Sequence, residues 1–187
     1  MDSALDTIAE FEPFMQEAIR LAKESAQRDE VPVGAVVVQK QFPNSVKHTN
    51  LAAEPYGFAN GRIVGYGRDR KIELSDPTAH AEVLALRDAA KRLGDWRLED
   101  CALVVTLEPC PMCAGAALLS RIPLVVFGAR NPKFGAIETQ LHLLQHPGWN
   151  HNVRTIGGCC EQECASVLQS YFRKKRAGGD AAEGEKA

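Results

Sequence analysis

Two short segments, His80-Ala-Glu82 and Glu108-Pro-Cys110-Pro-Met-Cys113, constrain this chain more than anything else in it, because their side chains are useful only if the fold joins them. Cys110 and Cys113 are three apart, so on a helix their sulfurs leave one face, and at a helix start the positive end of the dipole favours thiolates. Glu82 is two residues past His80, a spacing that turns its carboxylate away from the imidazole's direction. Cys110 follows Glu82 by 28 positions, enough for a helix, a turn and a strand. Two helix starts at the ends of neighbouring strands can converge on one point, in the crevice where open α/β sheets bind ligands.

The pattern on either side supports that geometry. Residues 13–28 place Phe14, Ala18, Leu21, Ala22 and Ser25 on one helical face, with Pro13 suited to the first position. Residues 33–38 and 62–67 read as two strands, the second entered through the Asn60-Gly61 turn signal, and are predicted to pair antiparallel. Between them, residues 41–59 read as an inserted loop, either a substrate-facing flap or a surface insertion. Asp76-Pro-Thr78 predicts a helix start with His80 in its first turn, and Gly94 its stop. Residues 102–107 and 123–128 read as buried strands, 110–120 as a helix between them, 138–144 as a short helix, 153–156 as a strand and 161–174 as a last helix. The alternation predicts one α/β domain over residues 1–176, with 177–187 a disordered tail.

At 187 residues the chain suits one domain with a real core, and no run of about 18 apolar residues exists to span a bilayer. The acidic start lacks the basic and apolar stretches of a secretory signal, which predicts a cytoplasmic protein and, for its six cysteines, thiols or metal ligands rather than structural disulfides. The formal charge of −2 hides an asymmetry: residues 1–30 carry a net of −5 and residues 121–176 a net of +5. A basic face for a polyanionic partner is therefore available.

One imidazole and two thiolates can hold a zinc ion at three corners of a tetrahedron and leave the fourth for water, with Glu82 at hand to move protons. By itself Cys110-x-x-Cys113 is also compatible with half of a structural zinc site or a redox pair. A structural site needs a fourth ligand, and no second C-x-x-C or histidine pair is placed to supply one. H-x-E followed by P-C-x-x-C is the signature of zinc deaminases, in which hydroxide attacks an amidine-like ring carbon and ammonia leaves.

The chain resembles the bacterial tRNA-specific adenosine deaminases over residues 13–176. The matching segments are Glu30-Val-Pro-Val-Gly-Ala35, Asp76-Pro-Thr-Ala-His-Ala-Glu82, Thr106-Leu-Glu-Pro-Cys-Pro-Met-Cys-Ala-Gly115, Val126-Phe-Gly-Ala-Arg130, His146-Pro-Gly-Trp-Asn-His151 and Glu163-Cys-Ala165. The resemblance implies a three-layer α/β/α sandwich around a five-stranded mixed sheet, as in cytidine deaminases. It also implies a homodimer with one Zn2+ per subunit that converts the wobble adenosine of a tRNA anticodon loop to inosine. His80, Cys110 and Cys113 would be the ligands and Glu82 the general acid and base. Phe172 and Arg173, in the run Tyr171-Phe-Arg-Lys-Lys-Arg176, would meet the RNA by stacking and phosphate contact.

Two positions depart from the family. Asp69 stands where an asparagine usually faces the purine, and an ionised carboxylate only accepts hydrogen bonds, so Asp69 is expected to pair with Arg68 or Arg70, to be protonated, or to meet a substrate hydroxyl or amine. Asn131 replaces an aspartate thought to lie near the target's sugar, which would ease the approach of a phosphate backbone and weaken the preference for RNA over DNA. Two other readings stay open: a deaminase of a free base or nucleoside of the guanine or cytosine type, and an inactive RNA-binding module. Cys159, Cys160 and Cys164 read as core packing rather than a second metal site.

Overall fold

Runs of β-branched and small apolar residues with no polar alternation make strands that must be covered on both faces. A computed structural model describes residues 8–41, 57–58 and 60–183. Its strands are β1 (Gly34–Gln39), β2 (Arg62–Arg68), β3 (Cys101–Leu107), β4 (Leu124–Ala129) and β5 (Arg154–Gly157), and its helices α1 (Glu12–Gln27), the single turn α2 (Lys71–Leu74), α3 (Ala81–Leu93), α4 (Pro111–Leu119) and α5 (Glu161–Glu183). The sheet order is β2-β1-β3-β4-β5. β1 is antiparallel to β2 and β3, whereas β3, β4 and β5 run parallel, so the sheet is mixed as expected.

Alternation along the strands sorts the core into two layers. Ala35, Val37, Leu103, Val105, Val125 and Phe127 pack with Ala81, Ala85 and Ala89 of α3 and Ala114, Ala117 and Leu118 of α4. Val36, Val38, Ala102, Val104, Leu124 and Val126 face Phe14, Ala18 and Leu21 of α1 and Cys164 of α5. Helices therefore cover both faces of the sheet, in three layers. β2 lets α3 come close because Gly67 has no side chain: a Cβ there would overlap the carbonyl oxygen of Ala81. That approach carries the chain just after His80 onto the end of the sheet.

Four expectations shift. His80 is not in the first turn of its helix but is the extended N-cap residue of α3, at φ −76° and ψ 151°. Cys110 likewise precedes α4 as its N-cap, with Pro111 following. The expected helix over residues 138–144 is a run of turns ending in a 3-10 turn, Leu143–Gln145, because the amides of Gln140, Leu141 and Leu143 bond the carbonyls of Gly135 and Ala136, further back than the four residues a helix requires. The last helix continues to Glu183, past the expected end and into the segment expected to be disordered, since extending a formed helix costs far less than starting one. Most of the expected inserted loop, residues 42–56 and 59, lies outside the described residues, although Phe58 near its end is buried with its ring 5.5 Å from that of Phe11. Cys159 and Cys164 pack in the second core layer as small apolar groups.

Candidate active site

α3 and α4 begin beside each other at the carboxyl end of β3 and the end of β2. His80 Nδ1 lies 3.7 Å from Cys110 Sγ and 3.5 Å from Cys113 Sγ, and the two sulfurs are 3.6 Å apart. A tetrahedral zinc with ordinary bond lengths places its sulfur ligands about 3.8 Å apart, and a sulfur and a nitrogen about 3.6 Å apart. The three donor atoms therefore already stand at the edges of such a tetrahedron, and the donor set fits zinc. They form the single group of three or more potential ligands among the described residues.

Electrostatics within the cluster agree. Cys113, with help from His80, holds the Cys110 thiol far down, at about 4, while Cys113 is pushed up, first by its bond with Cys110. One proton is thus shared by a pair in which Cys110 is the thiolate, and a cation would displace it. The Cys110 sulfur also raises His80. Glu82 is buried beside Cys113, and burial first, then the charge of Asp69, pushes its carboxyl up to about 7. It can take and return a proton near neutral pH.

Asp69 is 3% exposed, and its role differs from the pairing expected. Its Oδ1 accepts a hydrogen bond from the Ala81 N–H at 2.9 Å, and Lys71 Nζ lies 3.5 Å from Oδ2. Arg68 and Arg70 instead both grip Glu73, at 2.6 Å each. The backbone of Asp69 is itself tied down, its N–H to Val33 and its carbonyl to Ser25 Oγ. The carboxylate therefore caps the first turn of α3, between His80 and Glu82, which sequence spacing could not reveal. Burial raises its pKa, opposed by the Ala81 bond and His80.

Asn131 follows β4, and its Oδ1 accepts from the N–H groups of Lys133 and Phe134, so this side chain shapes its own loop. Phe172 and Arg173 lie on α5. In this run Tyr171 donates to the Asp29 carbonyl, Lys175 pairs with the Asp29 carboxylate at 2.6 Å, and Phe172 stands edge-on to Tyr171 and 44% exposed. The hydrogen bonds of Tyr171, Arg173 and Lys175 go to Ser170 and Asp29, not to the cysteine cluster. The structure joins His80, Cys110, Cys113, Glu82 and Asp69 into one site, while the bonds around Phe172 and Arg173 go to Tyr171, Ser170 and Asp29.

Sequence reasoning passed over Glu108. Its carboxylate is buried and accepts from the N–H groups of Asn131, Ile137, Glu138 and Thr139 and from the Thr139 hydroxyl. Burial raises its pKa, but these donors outweigh burial and hold it low. The one available signal was a charged residue next to a buried strand.

The whole domain is matched by the sequence model of the MafB19-like deaminases, over residues 9–176. A tRNA-specific adenosine deaminase of Bacillus subtilis is 41% identical over 165 residues, which are 88% of this chain and 90% of the relative. A solved structure of a tRNA:A34 deaminase, which performs A-to-I editing at the wobble position of transfer RNA, superposes with a TM-score of 0.70 at 37% identity, covering 83% of this chain and 98% of the other. A guanine deaminase of Nitrosomonas europaea shares the fold with a TM-score of 0.64 at 22% identity, covering 86% of this chain and 83% of the other.

Proposed function

The chain belongs to the bacterial tRNA-specific adenosine deaminase family, and from that membership we propose that it hydrolyses the wobble adenosine of a tRNA anticodon loop to inosine and ammonia. The observation that carries this reading is a buried carboxylate, Glu82, beside three donors already spaced for one tetrahedral ion. His80, Cys110 and Cys113 would hold one Zn2+ per subunit, which when bound supplies a Lewis acid that makes water acidic near neutral pH. Glu82 takes the proton of the attacking water and returns protons to the ring and the exocyclic amine, so that ammonia leaves. Asp69 keeps His80 and Glu82 in register through the Ala81 amide.

The free-base alternative drew on Asp69 as a contact to substrate. With one oxygen on a backbone amide and the other facing Lys71, that carboxylate has little left to offer a purine. An inactive binding module would have no use for a buried acid beside the cluster. Phe172 and Arg173 offer a half-open ring and a cation to the flanks of the RNA loop. A homodimer is supported by the outer face of α4, where Met112 and Leu119 are exposed one above the other with Gly115 and Ala116 between. Among the described residues no helix is long and apolar enough to cross a membrane. A tRNA substrate would place the enzyme's action in the cytoplasm.

The test is direct. Zinc-loaded protein is incubated with an adenosine-containing anticodon stem-loop and, separately, with free guanine, cytosine and adenosine. Inosine in the stem-loop is expected, and product from a free base alone would overturn the reading.

A further inference from the structure

The residues 131–139 leave β4 and return toward α4 without helix or strand, yet half of their eight backbone donors converge on one side chain. Glu108 takes four amide hydrogen bonds, at 3.0 Å from Asn131, 3.2 Å from Ile137, 2.7 Å from Glu138 and 2.9 Å from Thr139, with the Thr139 hydroxyl as a fifth donor. A Cβ on Gly135 would overlap the Glu108 carboxylate, so the loop wraps the acid at backbone distance. The Ala136 N–H adds a bond to the Pro109 carbonyl at 2.9 Å, immediately before Cys110. Asn131 Oδ1 then pins the N–H groups of Lys133 and Phe134 at the tip. What this framework presents is Phe134, 65% exposed in a loop whose amides are all bonded, attached to the residue pair that precedes the cysteine cluster.

A large aromatic held open on a short, internally bonded loop offers the surface that stacking on a splayed base needs, with little left to order. We propose that Glu108 is a positioning residue that locks the loop of residues 131–139 so that Phe134 forms a stacking platform for a nucleobase flanking the target adenosine. The inference rests on the RNA reading above and adds to it a contact and the residue that holds it. Glu108 touches neither substrate nor metal; it acts through the loop.

Variants at Glu108 and Phe134 test this, read by amide exchange and by steady-state kinetics. In Glu108→Gln the replaced oxygen becomes an NH2 facing amide donors, so hydrogen exchange at the amides of Asn131, Ile137, Glu138 and Thr139 should accelerate in the zinc-loaded protein while its zinc content stays at that of the wild type. Its KM for the stem-loop should rise while kcat at saturation holds. Phe134→Ala, at an exposed position that leaves the fold intact, should raise KM about tenfold, the effect of losing one stacked base, with kcat and exchange unchanged, and Phe134→Trp should restore it. Unchanged exchange in Glu108→Gln overturns the positioning role, and an unchanged KM in Phe134→Ala overturns the platform. If Glu108→Gln does not fold, Thr139→Val, which removes the hydroxyl donor alone, is read in the same way. A wild-type protein that leaves every stem-loop unedited fails the RNA reading itself, while the exchange comparison still decides whether Glu108 holds the loop.

Discussion

The cysteine cluster and the end of the last helix do their work with opposite means. Around His80, Cys110, Cys113 and Glu82 the groups are half-buried or buried, lie within hydrogen-bond reach and shift one another's protonation strongly, because a low local dielectric magnifies each charge. Along Tyr171-Phe-Arg-Lys-Lys-Arg176 all side chains but the half-buried Tyr171 are exposed, and the ties to Asp29 orient the helix end rather than create chemistry. The first region should respond to a single atom and the second to summed charge.

The comparison can be broken most sharply at the ligands. Cys113→Ser should abolish both zinc retention and deamination while the far-ultraviolet circular dichroism persists; retained zinc measured by atomic emission would refute the assigned ligand set. Glu82→Gln should keep its zinc and lose kcat by about 10²- to 10⁴-fold in single-turnover assays, the range for removing a general acid and base. Asp69→Ala leaves the Ala81 amide unpaired in a buried setting, and should cost about 1–3 kcal/mol in urea denaturation and loosen zinc, whereas Asp69→Asn, which still offers an oxygen, should recover most of both.

On the surface side, replacing Arg173 and Lys174 by alanine should leave kcat untouched and flatten the plot of log binding constant against log salt by about 0.7 for each phosphate that is no longer neutralised. The smallest effect lies away from both regions, at Glu73, whose carboxyl Arg70 and then Arg68 hold down to about 2. A depressed carboxylate contributes stability that is complete above its unfolded value of about 4.3 and is lost as pH falls toward the folded value. The melting-temperature advantage of the wild type over Glu73→Gln should be level above about pH 5 and vanish near pH 2.

Strands β1, β3 and β4 were legible because apolar β-branched runs covered on both faces permit little else, and the ligands because their types and spacing are chemically restrictive. The boundaries at His80 and the absence of a helix over residues 138–144 were not. At His80 the deciding bond is the one the Ala81 N–H donates to Asp69, and over 138–144 the amides of Gln140, Leu141 and Leu143 reach back to a loop folded around Glu108. Local propensity cannot register an acceptor that arrives from another element. The same limit hid the true partner of Asp69: adjacency suggested Arg68 or Arg70, but Glu73 sits between those two guanidinium groups and takes both.

Sequence alone therefore determined that an α/β sheet would carry the histidine, the two cysteines and the carboxylate proposed as ligands and proton carrier, since residue types and periodicity within one element are read from the chain itself. Tertiary structure alone decided that the three donors stand at tetrahedral spacing, that the Asp69 carboxylate caps the start of α3, and that Glu108 gathers the amides of the loop bearing Phe134. The last two depend on where a buried carboxylate finds its donors and the first on how two helix starts are packed together, and packing is a property of the whole chain, not of any segment in it.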